Sequence, residues 1–114
     1  MPNHSMLTIE SISGTSYQFH VYPLEDNPDF PDHPGLYLFT KQYPNQRGGY
    51  THDILYIGET HSFEERLVES HENVPCARNN GFNCVCLHYS NNEQSERRKS
   101  EKALIDKWNP ICND

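Results

Sequence analysis

Along residues 17–22 apolar and polar side chains alternate strictly, with Tyr17, Phe19 and Val21 separated by Gln18 and His20. A period of two puts the two sets on opposite faces of a pleated strand, so this segment predicts a half-buried strand. A second short strand is predicted around Leu7–Ile12, and Ser13-Gly14-Thr15 forms the break between the two. From Pro23 to Pro34 the pattern disappears into four prolines and four acids. That composition rules out a helix and predicts an extended, solvated connection. Apolar runs return at Gly35–Phe39 and Ile54–Ile57, with Pro44, Asn45, Gly48 and Gly49 between them. They predict an antiparallel hairpin with a long tip over residues 41–53. Ser62-Phe63-Glu64-Glu65 has the capping-box pattern and predicts a helix start, with Phe63 and Leu67 facing the core together and Arg66 on an adjoining face. Pro75 and Asn79-Asn80-Gly81 end that region. Phe82–Tyr89 predicts a further strand, and Glu93–Trp108 a long helix stopped by Pro110 with Asn109 as its C-cap.

These elements predict an α+β fold: a small antiparallel β-sheet flanked by α-helices, with an N-terminal β extension. At 114 residues, 34% of them hydrophobic, the chain has material for one modest core. Residues 1–33 are read as the β extension and connector, and residues 34–114 as the main unit. No stretch has the length of a membrane span, and Met1–Glu10 lacks the charged-then-apolar order of a signal peptide. A soluble, cytoplasmic protein is expected. The cysteines, Cys76, Cys84, Cys86 and Cys112, are expected to be reduced, with buried small hydrophobes as their main reading. Cys84 and Cys86 alternate in an apolar run and can share one strand face. A zinc site from Cys76, Cys84, Cys86 and a histidine can be written down, but no CxxC or HxxxH spacing supports it.

Two tripeptides, Gly35-Leu36-Tyr37 and Tyr56-Ile57-Gly58, are followed in order by Arg66, Glu101 and Asn113. This ordered set resembles the GIY-YIG nuclease family over residues 34–113. The resemblance implies a GIY-YIG-like fold and a metal-dependent endonuclease that hydrolyses DNA phosphodiester bonds. It assigns catalysis to Tyr37, Tyr56, Arg66, Glu101 and Asn113, substrate binding to Gly58 and Arg66, and one Mg²⁺ (or Mn²⁺) to Glu101. His61 and His71 are auxiliary candidates, with solvent exposure the favoured reading for both. In the family the hairpin connection is generally shorter, so the 41–53 tip is a local elaboration.

The residue types suit that chemistry. Phosphodiester hydrolysis needs an activated water, a counter-charge for the transition state and help for the leaving oxygen. One carboxylate can anchor a hard cation whose other ligands are water and phosphate. Glu101 shares a helix face with Leu104, Ile105 and Trp108, where a carboxylate is costly without a partner. Its bland alternative is a salt bridge to Arg97 or Arg98. By the resemblance Tyr37 deprotonates or positions the water and Tyr56 binds the phosphate or assists. A phenol titrating near 10 is a poor base at neutral pH, so Arg66 is expected to favour the Tyr37 phenolate. Asn113 is expected to orient a tyrosine or to hold the hairpin against the last helix. Gly58 is expected to let the chain turn out of its strand and the backbone approach a phosphate.

Charge pulls the other way. The net charge is −7, and proteins that neutralise many phosphates usually carry the opposite sign. Arg97, Arg98, Lys99, Lys102 and Lys107 gather on one segment and could make a local basic face, while Glu59 puts an acid directly after Gly58. The rival readings are a catalytically inactive nucleic-acid or protein-binding module of the same fold and a zinc-stabilised interaction protein. A homodimer contact or a recruiting protein partner is a further reading for the first thirty-odd residues.

Overall fold

The computed structural model describes residues 5–68 and 70–113. Five strands form one antiparallel sheet: β1 (Met6–Glu10), β2 (Ser16–Pro23), β3 (Gly35–Pro44), β4 (Tyr50–Thr60) and β5 (Cys84–Tyr89), in the order β1-β2-β5-β3-β4. Three helices accompany it: α1 (Phe63–Arg66), α2 (Val74–Asn79) and α3 (Gln94–Trp108). The N-terminal pair β1–β2 extends the sheet, because β2 pairs with β5. The proline-acid connector is extended apart from a single 3-10 turn at Leu24–Asp26.

The sheet is covered on both sides. On one face Ile9, Phe19, Leu36, Leu38, Ile57, Cys84 and Cys86 pack with Leu104 of α3. On the other, Tyr37, Phe39, Val85 and Leu87 pack with Phe63, Val74 and Ala77 from α1 and α2. This explains the unbroken apolar run of β3, since a strand buried on both faces has no polar side to alternate with. Gly35 is needed there for space: a Cβ would collide with the His88 carbonyl oxygen and the Phe63 ring.

Local signals set the helix ends. Ser62 Oγ accepts from Glu65 N–H at 3.3 Å, half of the expected capping box. The reciprocal half is replaced: Ser62 N–H donates to Thr60 Oγ1, and Glu65 turns to His61. α1 ends after one turn. α2 is absent from the sequence reading, in which Pro75 was a stop. In the structure Pro75 lies in the first turn of α2, where its missing N–H costs nothing. Asn109 closes α3 in the left-handed conformation, with φ 45°, as its C-cap reading requires.

The hairpin departs from expectation in its tip. The strands do not dissolve after Phe39 but stay paired from Thr40↔Ile54 to Pro44↔Tyr50. A bulge at Leu55, between Phe39 and Thr40 in the register, divides a buried base from a projecting two-stranded arm.

The cysteines are a second departure. Cys84 and Cys86 are buried free thiols on one face, and burial raises their pKa values to about 11 and about 12. Cys76 and Cys112 are instead joined by a disulfide across 36 residues. Nothing in the spacing signals it, because the two meet only when the last turn of the chain folds onto α2. The bond removes the cysteine argument for a reducing compartment and takes Cys76 out of any zinc set. No helix of the described residues is long and apolar enough to cross a membrane.

Thiol titration of the unfolded protein should therefore find two reactive thiols without reductant and four with it. Removing the cross-link as Cys76→Ser/Cys112→Ser should lower stability by about 4 kcal/mol, the loop-closure scale for a link of this span. Four thiols before reduction would show that the bond does not form.

Candidate active site

The strand register brings the two motif tyrosines together. Tyr37 lies opposite Gly58, and Phe39 opposite Tyr56. Residues two apart on a strand share a face, so these four make one patch on the α1–α2 side. The Tyr37 and Tyr56 ring centroids are 5.9 Å apart, and Phe39 lies 5.5 Å from Tyr56. A Cβ at position 58 would sit 2.6 Å from the Tyr37 hydroxyl oxygen and closer still to its ring. Gly58 thus provides the space that the Tyr37 ring fills. Strand β4 continues through it to Thr60, so the expected turn out of the strand does not occur there.

His71 corrects a second expectation. It is 2% exposed, and its Nε2 lies 2.7 Å from the Tyr37 hydroxyl. The Asn73 backbone N–H donates to His71 Nδ1 at 3.0 Å. A ring nitrogen that accepts has no proton, so the neutral imidazole carries its proton on Nε2 and donates it to Tyr37. Burial first, and then Arg66, lower the His71 pKa, which keeps the ring neutral. The Tyr37 hydroxyl hydrogen is left free to point towards Tyr56. His61 is exposed, as expected, and lies 3.2 Å from Glu65.

Burial outweighs Arg66 at both phenols. The Tyr37 pKa is raised by desolvation and by Tyr56, with Arg66 pulling the other way. The Tyr56 pKa is raised less simply: burial, Glu101 and Glu72 push it up, while Tyr37 and Arg66 push it down. The expectation that Arg66 makes Tyr37 a phenolate therefore fails. Tyr37 is 1% exposed, whereas Tyr56 is only half-buried. The accessible phenol is Tyr56.

Arg66, at the end of α1, forks onto Glu72, donating from Nη1 to Oε2 at 2.8 Å and from Nη2 to Oε1. Arg66 holds the Glu72 carboxyl at about 2. The Glu72 side chain is well exposed, so this bidentate pair sits at the protein surface. Beside Arg66 lies a polar cleft of about 260 Å³ bordered by Glu59, Thr60, His61, Glu65 and Gln94. A larger apolar cavity of about 560 Å³ lies between Leu24, Phe30, Val74 and Phe82, with no carboxylate among its described lining residues.

Glu101 approaches from α3, around the free edge of the sheet that β4 forms. The salt bridge to Arg97 or Arg98 is not made. Those arginines pair with Glu59, Arg97 at 3.1 Å and Arg98 at 3.6 Å, and the Glu59 side chain is only 10% exposed. Glu59 is therefore a neutralised, largely covered acid and not a bare charge facing a ligand. Among the described residues Glu101 has no ion pair. Burial and the Glu59 charge raise its pKa, while the Glu59 backbone N–H and Arg98 hold it down. No cluster of three metal-ligating side chains exists among the described residues. What Glu101 offers is one hard oxygen donor group on α3 near Glu59 and Tyr56, which suits a cation that keeps water in most of its shell.

Asn113 performs the second of its two expected roles. Its Nδ2 donates to the Ile57 carbonyl at 2.8 Å and its Oδ1 accepts from the Ile57 N–H at 2.9 Å. This one-residue pairing closes the edge of β4 between Tyr56 and Gly58, where a strand edge is otherwise open. Asn73 donates to the Cys112 carbonyl at 2.8 Å, so His71, the disulfide and Asn113 form one brace.

The chain matches no protein-family model, no curated protein and no solved structure.

The raised phenols set a sign for pH dependence. A folded-state pKa above the unfolded value of about 10 means that the folded chain holds the proton more tightly. The contribution is complete below about pH 10 and is lost as the pH rises beyond it. Thermal melts from pH 8 to 11 should thus fall at the alkaline end, and Tyr37→Phe should make that fall shallower while lowering stability overall. An unchanged alkaline slope would place Tyr37 in a solvated setting.

Proposed function

We propose that the chain is a metal-dependent endonuclease of GIY-YIG type that hydrolyses DNA phosphodiester bonds. The observation that supports this reading best is the gathering, near the β4 edge, of two neighbouring phenols, an arginine fork and a half-buried carboxylate without an ion pair. A half-buried carboxylate without an ion pair is costly to maintain as mere packing. Together these groups supply what the reaction needs.

In this reading a phosphate displaces Glu72 and takes the Arg66 fork, whose planar donors match two phosphate oxygens. Tyr56, the accessible phenol, meets the attacking water and as phenolate accepts its proton. Three features lower the cost of that phenolate: the Arg66 charge, a hydrogen bond donated by the Tyr37 hydroxyl, and the His71 proton that fixes how Tyr37 points. Tyr37 then holds Tyr56 in place from behind instead of acting as the base. Glu101, with water and phosphate, would hold Mg²⁺ or Mn²⁺, supplying charge for the transition state and leaving oxygen and cancelling the upward push of Glu101 on the Tyr56 pKa. Asn113 and Gly58 act through position: one fixes the strand edge and the other makes room for Tyr37.

The test is cleavage of supercoiled plasmid by the purified chain with Mg²⁺ or Mn²⁺ at low salt. Tyr56→Phe and Arg66→Ala should each reduce the rate by about two orders of magnitude or more. Glu101→Ala should abolish cleavage with little change in melting temperature, since it removes a desolvated charge and little packing. The rate should rise with pH through the neutral and alkaline range, as Tyr56 loses its proton. Duplex binding without cleavage, unaffected by these substitutions, would favour the inactive module of the same fold.

A further inference from the structure

The two-stranded arm over residues 41–53 has no part in the site described above. It is nevertheless built with care. Its base is held by Asn83, whose Oδ1 accepts from Gln42 N–H at 2.7 Å and whose Nδ2 donates to the Gln42 carbonyl at 2.9 Å. Its tip is closed by Asn45, whose Oδ1 accepts from the Arg47 and Gly49 N–H groups, with Gly48 at φ 82°. The arm is thus a stiff ribbon with a fixed direction. It carries Tyr43 and Tyr50, 38% and 61% exposed, the first donating its hydroxyl to Asp53 across the arm at 3.3 Å.

The arm carries two cations, Lys41 and Arg47, against one acid, Asp53. The cations expected to make a basic face on α3 each have a neighbour: Arg97 and Arg98 pair with the largely covered Glu59, Lys99 with Glu96 and Lys102 with Asp106 in exposed pairs, and Lys107 lies over the Trp108 ring. Arg66 is paired with Glu72, and Arg78 has an interaction partner. Among the described residues the cations with no ion pair or ring partner are Lys41 and Arg47, both on the arm. In a chain of net charge −7, this is where polyanion affinity can come from.

We infer that the arm is the docking element for duplex DNA, lying in the major groove with Arg47 and Lys41 on phosphates and Tyr43 and Tyr50 against the groove wall. A two-stranded ribbon fits the roughly 12 Å major groove of B-form DNA and not the deep, narrow one of A-form RNA. From the Tyr56 level the paired strands of the arm, Phe39 to Pro44, extend about 17 Å at strand rise, about half a helical turn from a phosphate held at Arg66. The inference rests on the nuclease reading for the identity of the ligand and not for its geometry.

The test measures binding of a labelled 30-base-pair DNA duplex, a single strand of the same sequence and the matching RNA duplex by anisotropy, in EDTA, across a salt series. Lys41→Ala/Arg47→Ala should weaken duplex DNA binding about tenfold and flatten the slope of log Kd against log salt by about 2, one phosphate contact per cation. Tyr50→Ala should weaken it as well, Lys102→Ala should change neither quantity, and all variants should melt like the parent chain. Duplex affinity and salt slope unchanged in the double variant would overturn the inference, as would no binding by the parent chain, or tighter binding to the single strand or the RNA. Cleavage that survives loss of the arm hypothesis keeps the nuclease; arm-dependent binding by a parent chain that never cuts keeps the arm and rejects the nuclease.

Discussion

The Tyr37 ring occupies the space that a side chain at position 58 would need. That exchange of volume between two paired strands sets the rest of the site. With no Cβ at Gly58, the Tyr37 phenol lies flat in the sheet face and reaches His71. His71 can meet it only because the segment before α2 folds under the sheet, and its ring is oriented by the Asn73 N–H. Asn73 in turn holds the Cys112 carbonyl, and Cys112 is bonded to Cys76 on α2. The last residue of this series, Asn113, returns to β4 at Ile57, next to Gly58. The brace begins and ends on the same strand edge.

The electrostatics follow from that packing. A phenol sealed between Gly58, Phe39 and His71 resists ionisation, so the interior tyrosine is a poor base however close Arg66 lies. The same network directs its hydroxyl at the outer tyrosine, which borders water, Arg66 and Glu101. The acids of the site are balanced unequally: Glu72 is matched by Arg66 and Glu59 by Arg97 and Arg98, while Glu101 is left with a desolvated charge. A half-buried carboxylate without an ion pair is disfavoured in a structure that needs only stability, and the Glu59 N–H and Arg98 offset only part of that cost.

Much of the frame was legible in the sequence because local rules write it. The alternation of Tyr17, Phe19 and Val21, the doubly buried run of β3, the Ser62 cap and the Asn109-Pro110 stop each act within a few residues. What was not legible depends on contacts between distant segments. Pro75 reads as a stop until one sees that it opens α2. Lys41–Pro44 and Tyr50–Asp53 show no apolar period because both faces of the arm meet solvent, so paired strands looked like a loop. The burial of His71, the Cys76–Cys112 bond and the pairing of Glu59 with two arginines leave no periodic trace at all. The residue types and their order singled out Tyr37, Tyr56 and Arg66, which the structure brings near one another. That Tyr37 is sealed while Tyr56 is half-buried left no trace in the sequence.

The central claim is that this edge of the sheet holds a divalent cation at Glu101 beside the phenols. The most direct measurement is the broadening of backbone amide NMR signals as Mn²⁺ is added in small amounts to the ¹⁵N-labelled chain. Broadening should begin at Glu59, Thr60 and Glu101, and Glu101→Gln should remove it while leaving the spectrum otherwise folded. Broadening that starts instead among Glu25, Asp26, Asp29 and Asp32, and persists in Glu101→Gln, would contradict the account.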